Sequence, residues 1–309
     1  MVRFLAGRVA YAGAVLVAVT SLVFGLIHLS GDPLAGLLPP GSSPEQQAVA
    51  RHRFGLDRPL AEQYLLFVGR AVRGDFGESW RQQRPAMDAV IERLPATLAL
   101  TGAAVGLALL VGGALGIATG TRPGGVVDLL ASGVAVLGQA VPGFWLGTLL
   151  VLAFAVRLRW LPSSGLDGPE ALVLPAATLA AYPAATIARL LRTSLAETMA
   201  QDYVRTARGK GLSGRTVVRR HGLRPALLPT LAFAGLQVGF LFGGAVVVEE
   251  VFAYPGTGRL ALQAVADRDL PLVQAFVVVA ATLIVGVNLV VDVVARWLDP
   301  RLRFAAGQG

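Results

Sequence analysis

The amino-acid sequence predicts an all-α membrane protein with six transmembrane helices and a long loop after the first. Three observations carry that prediction. Of 309 residues, 54% are apolar and only 15% charged, and mean hydropathy is +0.63, a balance suited to a polytopic membrane chain. The apolar residues gather in six runs that each reach or approach the roughly 20 residues needed to cross a bilayer. Between the last runs lies a basic block, from Arg189 to Arg224, whose formal charge is +7 against +8 for the whole chain. A pI near 10.9 would suit nucleic acid, yet the cations sit beside and between apolar runs, where they set topology, so no nucleic-acid partner is expected. With no Cys, disulfides and thiolate metal sites are excluded.

Residues 1–8, with Arg3 and Arg8, form a cytoplasmic N-terminus. Residues 9–29 are an apolar run longer than the usual h-region of a signal peptide, and no small-x-small cleavage site follows, so they read as a retained first span. Residues 30–97 form an external loop with basic and acidic residues in balance. Turn strings at Gly31-Asp32-Pro33, Gly55-Leu56-Asp57-Arg58-Pro59 and Arg73-Gly74-Asp75-Phe76-Gly77 alternate there with helical patches such as 59–72. The transmembrane domain, 98–298, places its spans at 98–119, 133–156, 172–191, 231–251 and 273–295. Gly102-x3-Gly106, Gly112-x3-Gly116, Gly143-x3-Gly147 and Gly239-x3-Gly243 offer small faces for close helix packing. Pro142, Pro175 and Pro183 should kink or break their spans. A polar loop, 192–228, and a tail, 299–309, complete the chain.

Orientation follows from basic-residue asymmetry. One side carries formal charges of +2, 0, +7 and +2, and the other 0, 0 and −2, which places both termini and the basic loop in the cytoplasm.

Within the basic loop Met199, Tyr203, Ala207 and Gly211 recur every four residues, which puts them on one helix face, while Arg205, Arg208 and Lys210 fall elsewhere. Gly209 and Gly211 end that helix, Gly214 marks a bend, 216–223 can resume a short helix, and Pro225 and Pro229 stop it. The expectation is a helix, a turn and a second helix outside the bilayer.

The spacing around Ala207 and Gly211 resembles the cytoplasmic EAA signature loop of ABC importer permeases, with Arg205-Thr206 in its first two positions. DYVRTARGKGLS followed by RHGLRPALLP looks like the dipeptide, oligopeptide and nickel branch. Gln201 stands where that branch usually has Glu, and His221-Gly222-Leu223-Arg224 replaces the general Ile-x-Leu-Pro close, which disfavours a sugar importer. GDP, GLDRPL, RGDFGES, RLPATL, PGFWLG, VVVEEVFAYPGTGRL and LDPRLR follow the family's order, so the resemblance covers essentially the whole chain.

The resemblance implies the type I permease fold and one half of the channel of an ATP-driven importer of di- or oligopeptides, or alternatively of nickel, metal-chelate or glutathione-like substrates. It implies a heterodimer with a second, similar permease and two cytoplasmic ABC ATPases that bind ATP and Mg, with no cofactor in this chain. An extracytoplasmic solute-binding protein would deliver substrate. The ATPase-coupling residues would be Tyr203, Arg205, Thr206, Ala207, Lys210, Gly211 and Leu212. Tyr203 and Ala207 are then the buried contacts, Arg205 and Lys210 the polar ones, and Gly211 the turn.

No chemistry competes for this chain. Gly209-Lys210-Gly211 lacks the phosphate-cradling loop and the Ser/Thr after Lys, so the chain is not itself the ATPase. His28, His52 and His221 lie on separate segments, which disfavours a hydrolase or a zinc site. Polar residues in spans are costly in lipid and carry a functional prior. Gln139, Gln237 and Glu249 are the translocation-pathway candidates, with interhelical hydrogen bonding as the alternative for the two glutamines. An autonomous secondary transporter or channel would require inverted repeats and midplane ionisable residues, and neither is clear.

Overall fold

An apolar segment in lipid must satisfy its backbone internally, and a helix does so within one segment. The structure, a computed structural model, describes residues 2–29, 38, 42–53 and 56–298 and builds them almost wholly from helices. In chain order these are α1 (Val2–Leu29), α2 (Pro44–Arg53), α3 (Leu60–Ala71), α4 (Ala86–Thr121), α5 (Val126–Ala140) and α6 (Gly143–Leu150). They continue with α7 (Val173–Met199), α8 (Asp202–Gly209), α9 (Gly214–Val217), α10 (Leu223–Val251), α11 (Thr257–Ala266) and α12 (Leu270–Leu298). Among the described residues, five helical stretches are long and apolar enough to span a membrane, and a sixth arises if the bent pair α5–α6 counts as one. This is the all-helical, six-span architecture expected. The strings at 31–33 and 299–303 lie outside the described residues, as does the His28 side chain.

One compact unit comprises Met1–Ala96 and Pro255–Gly286. Its core gathers Phe76, Ala86, Ala89, Val90, Leu260, Ala264, Leu272 and Ala275. The string that sequence reads as turn chemistry does more than turn. Gly74 and Gly77 sit at φ 74° and 80°, Asp75 accepts the Gly77 N–H at 2.9 Å, and Phe76 is thereby driven into the core. Ser79 donates its hydroxyl to buried Asp269 at 2.5 Å. Asp269 is the N-cap of α12 and also accepts the Leu272 N–H at 3.4 Å. The segment after the first span is thus clasped to the start of the last. Elsewhere in this unit α3 leans on α1, where Phe24 stacks on Phe67 with centroids 5.8 Å apart and Tyr64 shares a hydrogen bond with Ser21 at 2.6 Å.

The second unit comprises Thr97–Tyr254 and Val287–Gly309, and α7 is its most enclosed helix. Gly112, Gly116 and Gly120 form a seam on α4 against which the α7 backbone lies. A Cβ at Gly112 would be 2.5 Å from the Ala184 carbonyl oxygen, one at Gly116 would be 2.8 Å from Leu191 Cβ, and one at Gly120 would be 3.0 Å from the Arg192 carbonyl oxygen. Gly147 likewise makes room for Phe252, and Gly235 for Val291. Gly102 and Gly106, by contrast, face open space.

Several expected boundaries move. The span expected at 98 begins at Ala86, because Ala86, Ala89 and Val90 are buried and Pro95 is accommodated within the helix. The span expected at 133–156 is α5 and α6, bent by 109° where Pro142 interrupts it, with a π-helical continuation at Val151–Arg157. Pro183 breaks nothing, since α7 runs through it. Nor do Pro225 and Pro229 stop their helix: α9 passes through a π-helical turn, Val218–Gly222, directly into α10. A wider turn at that point absorbs the backbone mismatch that the prolines create. Helix α11, in a stretch read as loop, was not expected.

Candidate functional site

The basic loop forms a helical hairpin between α7 and α10. Residue Ala200 closes α7, and Gln201 adopts extended backbone, with ψ 150°, so that α8 starts on a new axis. Asp202 in its first turn and Arg208 in its last complement the helix dipole. Gly211, at φ +78°, reverses the chain in a conformation that side chains disfavour. Ser213 then caps α9, accepting the Thr216 N–H at 3.4 Å.

The hairpin has its own small core. Val204, Ala207 and Val217 are buried together, with Met199 packed against them. The inward face is therefore the Val204–Ala207 pair, and the four-residue repeat from Met199 to Gly211 does not form one face. Met199 belongs to α7, Ala207 points into the hairpin, and Gly211 lies beyond α8. Ala207, a buried partner contact by what the resemblance implies, is enclosed by the hairpin's own core. Tyr203 is 47% exposed and donates its hydroxyl to the His221 carbonyl at 3.2 Å. Pro225, four residues beyond His221, has no N–H to offer that carbonyl, and the Tyr203 hydroxyl takes the place. Arg205, Thr206, Arg208, Lys210, Gly211 and Leu212 form the exposed side, with Arg205 only 3.9 Å from Asp202 in a solvated pair.

The hairpin rests on the bundle through a second cluster. Leu191, Leu195 and Ala226 are buried, with Ile117, Met199, Leu223 and Leu227 around them. Gly222 permits this approach, since a Cβ there would lie 2.7 Å from Met199 Sδ.

The three intramembrane candidates are not brought together. Glu249 is fully buried and accepts the Thr97 hydroxyl at 2.6 Å. Gln237 is buried on α10. Gln139 donates to Thr186 Oγ1 at 3.2 Å and lines a cavity of about 180 Å³ between α4, α5 and α7. Sequence reasoning missed the ion pair beside that cavity: Arg192 grips Asp128 with two hydrogen bonds, at 2.5 and 2.7 Å, and Gly124 N–H adds a third at 2.8 Å. The expected spans begin at 133 and end at 191, which leaves both residues in loops. An Asp five residues before one apolar run and an Arg directly after another are the signal that the sequence offers. Among the described residues no three His, Asp or Glu gather to hold a metal ion.

The sequence matches the family described as binding-protein-dependent transport system inner membrane component over residues 112–304, and its N-terminal membrane-component counterpart over residues 1–101. It is 40% identical over 287 residues to the glutathione transport system permease protein GsiC of Escherichia coli strain K12, covering 93% of this chain and 94% of that one. The permease of the same name in Salmonella paratyphi A is also 40% identical, covering 94% and 95%. Among solved structures, an inward-facing form of the MetNI methionine ABC transporter superposes with TM-score 0.55 at 21% identity, covering 69% of this chain and 97% of that one. An amino acid ABC transporter crystallised with histidines gives TM-score 0.55 at 18% identity, covering 68% and 94%.

Proposed function

The chain belongs to the inner membrane components of binding-protein-dependent transport systems, the permease subunits of ABC importers, and on that premise we propose that it forms one half of a channel for short peptides. In this family ATP hydrolysis resides in separate subunits, so the chain is a transport subunit and not an enzyme. The proposed assembly pairs it with a second, similar permease, two ATPases carrying ATP and Mg, and a solute-binding protein on the far side of the membrane. The charge asymmetry supports a cytoplasmic basic loop and cytoplasmic termini.

The observation that carries this reading is a preassembled hairpin with an exposed polar side, set on the buried ends of α7 and α10. In the proposed mechanism the exposed side, formed by Tyr203, Arg205, Thr206, Lys210 and Leu212 around the Gly211 turn, seats in a groove of the ATPase. Ala207 contributes from within by holding α8 against α9. Closure of the ATPase dimer on ATP displaces α8. Because the hairpin core is packed, α7 and α10 tilt with it, exchanging inward for outward access. Gln139, Gln237 and Glu249 remain the candidates for the route of the cargo, although Glu249 is already engaged by Thr97.

A glutathione-like tripeptide is the second reading, favoured by the 40% identity to permeases named for glutathione. Proteoliposomes holding the full complex should accumulate labelled dipeptide or glutathione only with ATP inside the ATPase-facing compartment and binding protein opposite. The cargo with the higher uptake decides between the two readings. Accumulation by this chain alone would overturn both.

A further inference from the structure

The cavity between α4, α5 and α7 is walled by polar groups that are satisfied within the chain, with one exception. Arg192 is held by Asp128, the Ser132 hydroxyl also turns to Asp128 at 3.4 Å, Gln139 donates to Thr186, and Thr119 donates to the Leu115 carbonyl at 2.8 Å. Arg189 is the exception. Its side chain lines the cavity and is exposed, and among the described residues it makes no hydrogen bond or ion pair. It sits toward the basic-loop end of a helix long and apolar enough to cross a membrane, Pro169–Met199, and a cation bordering hydrocarbon is best placed against a counter-charge. The site is built to want an anion.

Depth and surroundings narrow the choice of anion. At 1.5 Å of rise per residue, Arg189 lies about 15 Å before the end of α7, and Thr119 about 3 Å before the end of α4. With the basic loop on the cytoplasmic side, as in the orientation proposed above, this is the level where inner-leaflet headgroups meet hydrocarbon. The α5 face beside the cavity exposes Leu130, Val134 and Leu137, a surface suited to acyl chains. Basic cavities between spans at that level are suited to phosphate headgroups. We propose that Arg189 and this cavity bind the phosphate of an anionic inner-leaflet phospholipid.

The test titrates phosphatidylglycerol and phosphatidylcholine into the purified complex and counts retained lipid by native mass spectrometry, so its outcome does not depend on transport or on the identity of the cargo. The wild type should retain phosphatidylglycerol about fivefold more tightly than phosphatidylcholine, the scale of one cation near a membrane surface. Arg189→Gln should abolish that preference and Arg189→Lys should keep it. If Arg189→Gln does not assemble, photoactivatable phosphatidylglycerol on the wild type should label residues 131–139 or 186–192. An unchanged preference in Arg189→Gln, labelling confined elsewhere, or displacement of the lipid by glutathione or a dipeptide would each overturn the proposal.

Discussion

At the scale of single residues, Gly211 is held by backbone geometry and not by crowding. Its φ of +78° is one that a side chain resists, while a Cβ built there meets nothing within 4 Å. For most residues the left-handed conformation costs roughly 1–2 kcal/mol, and Asn tolerates it best after Gly. Gly211→Asn should therefore retain most uptake, while Gly211→Val should lose it with assembly and membrane insertion intact. Uptake and subunit co-purification measured side by side check this, and equal uptake by the two variants would remove the turn from the mechanism. The need for Gly here was legible in sequence, because a glycine ending a helix in a basic loop is turn chemistry. The direction of Ala207 was not: a four-residue repeat assumes one continuous helix, and Gln201 breaks the axis between Met199 and Tyr203. Tyr203, a buried contact by what the resemblance implies, is half-exposed in the chain alone, and its hydroxyl bond to the His221 carbonyl joins residues eighteen positions apart, which no local pattern shows.

At the scale of elements, the α4–α7 seam separates glycines that matter from glycines that merely recur. Gly112 and Gly102 stand in the same helix and in identical x3 spacing, yet only Gly112 faces the α7 backbone. Gly112→Val would force branched carbons against the Ala184 carbonyl and should destabilise the packed pair by about 1–3 kcal/mol, the usual effect of overpacking. Gly102→Ala should be neutral. Thermal unfolding of the detergent-solubilised complex distinguishes them, and a comparable loss in both would mean that the spacing itself, not the seam, sets stability. The six spans were readable from hydropathy because lipid imposes length and apolarity directly. Their ends were not, because α4, α7 and α10 run past the apolar runs into polar segments where packing decides. The same blurring hid Asp128 and Arg192, which join the start of α5 to α7.

At the scale of the whole molecule, work done on the loop must reach the spans through something stiff. The basic loop touches the bundle through two consecutive clusters. Val204, Ala207 and Val217 bind α8 to α9 with Met199 at their edge. Met199 then joins Leu191, Leu195, Ala226 and Leu223, which bind the end of α7 to the start of α10. A displacement of α8 is transmitted only as far as these contacts hold. Val217 is fully buried in the first cluster, so truncating it keeps the exposed side chains in place while loosening the link. Val217→Ala removes two methyl groups and should weaken the hairpin by about 2 kcal/mol. If the loop acts as a lever, cargo imported per ATP hydrolysed should fall several-fold, with hydrolysis itself maintained or raised, because the ATPases would close on a compliant handle. If the loop were only a tether, that ratio would not change. Measuring uptake and phosphate release in the same vesicles decides between lever and tether.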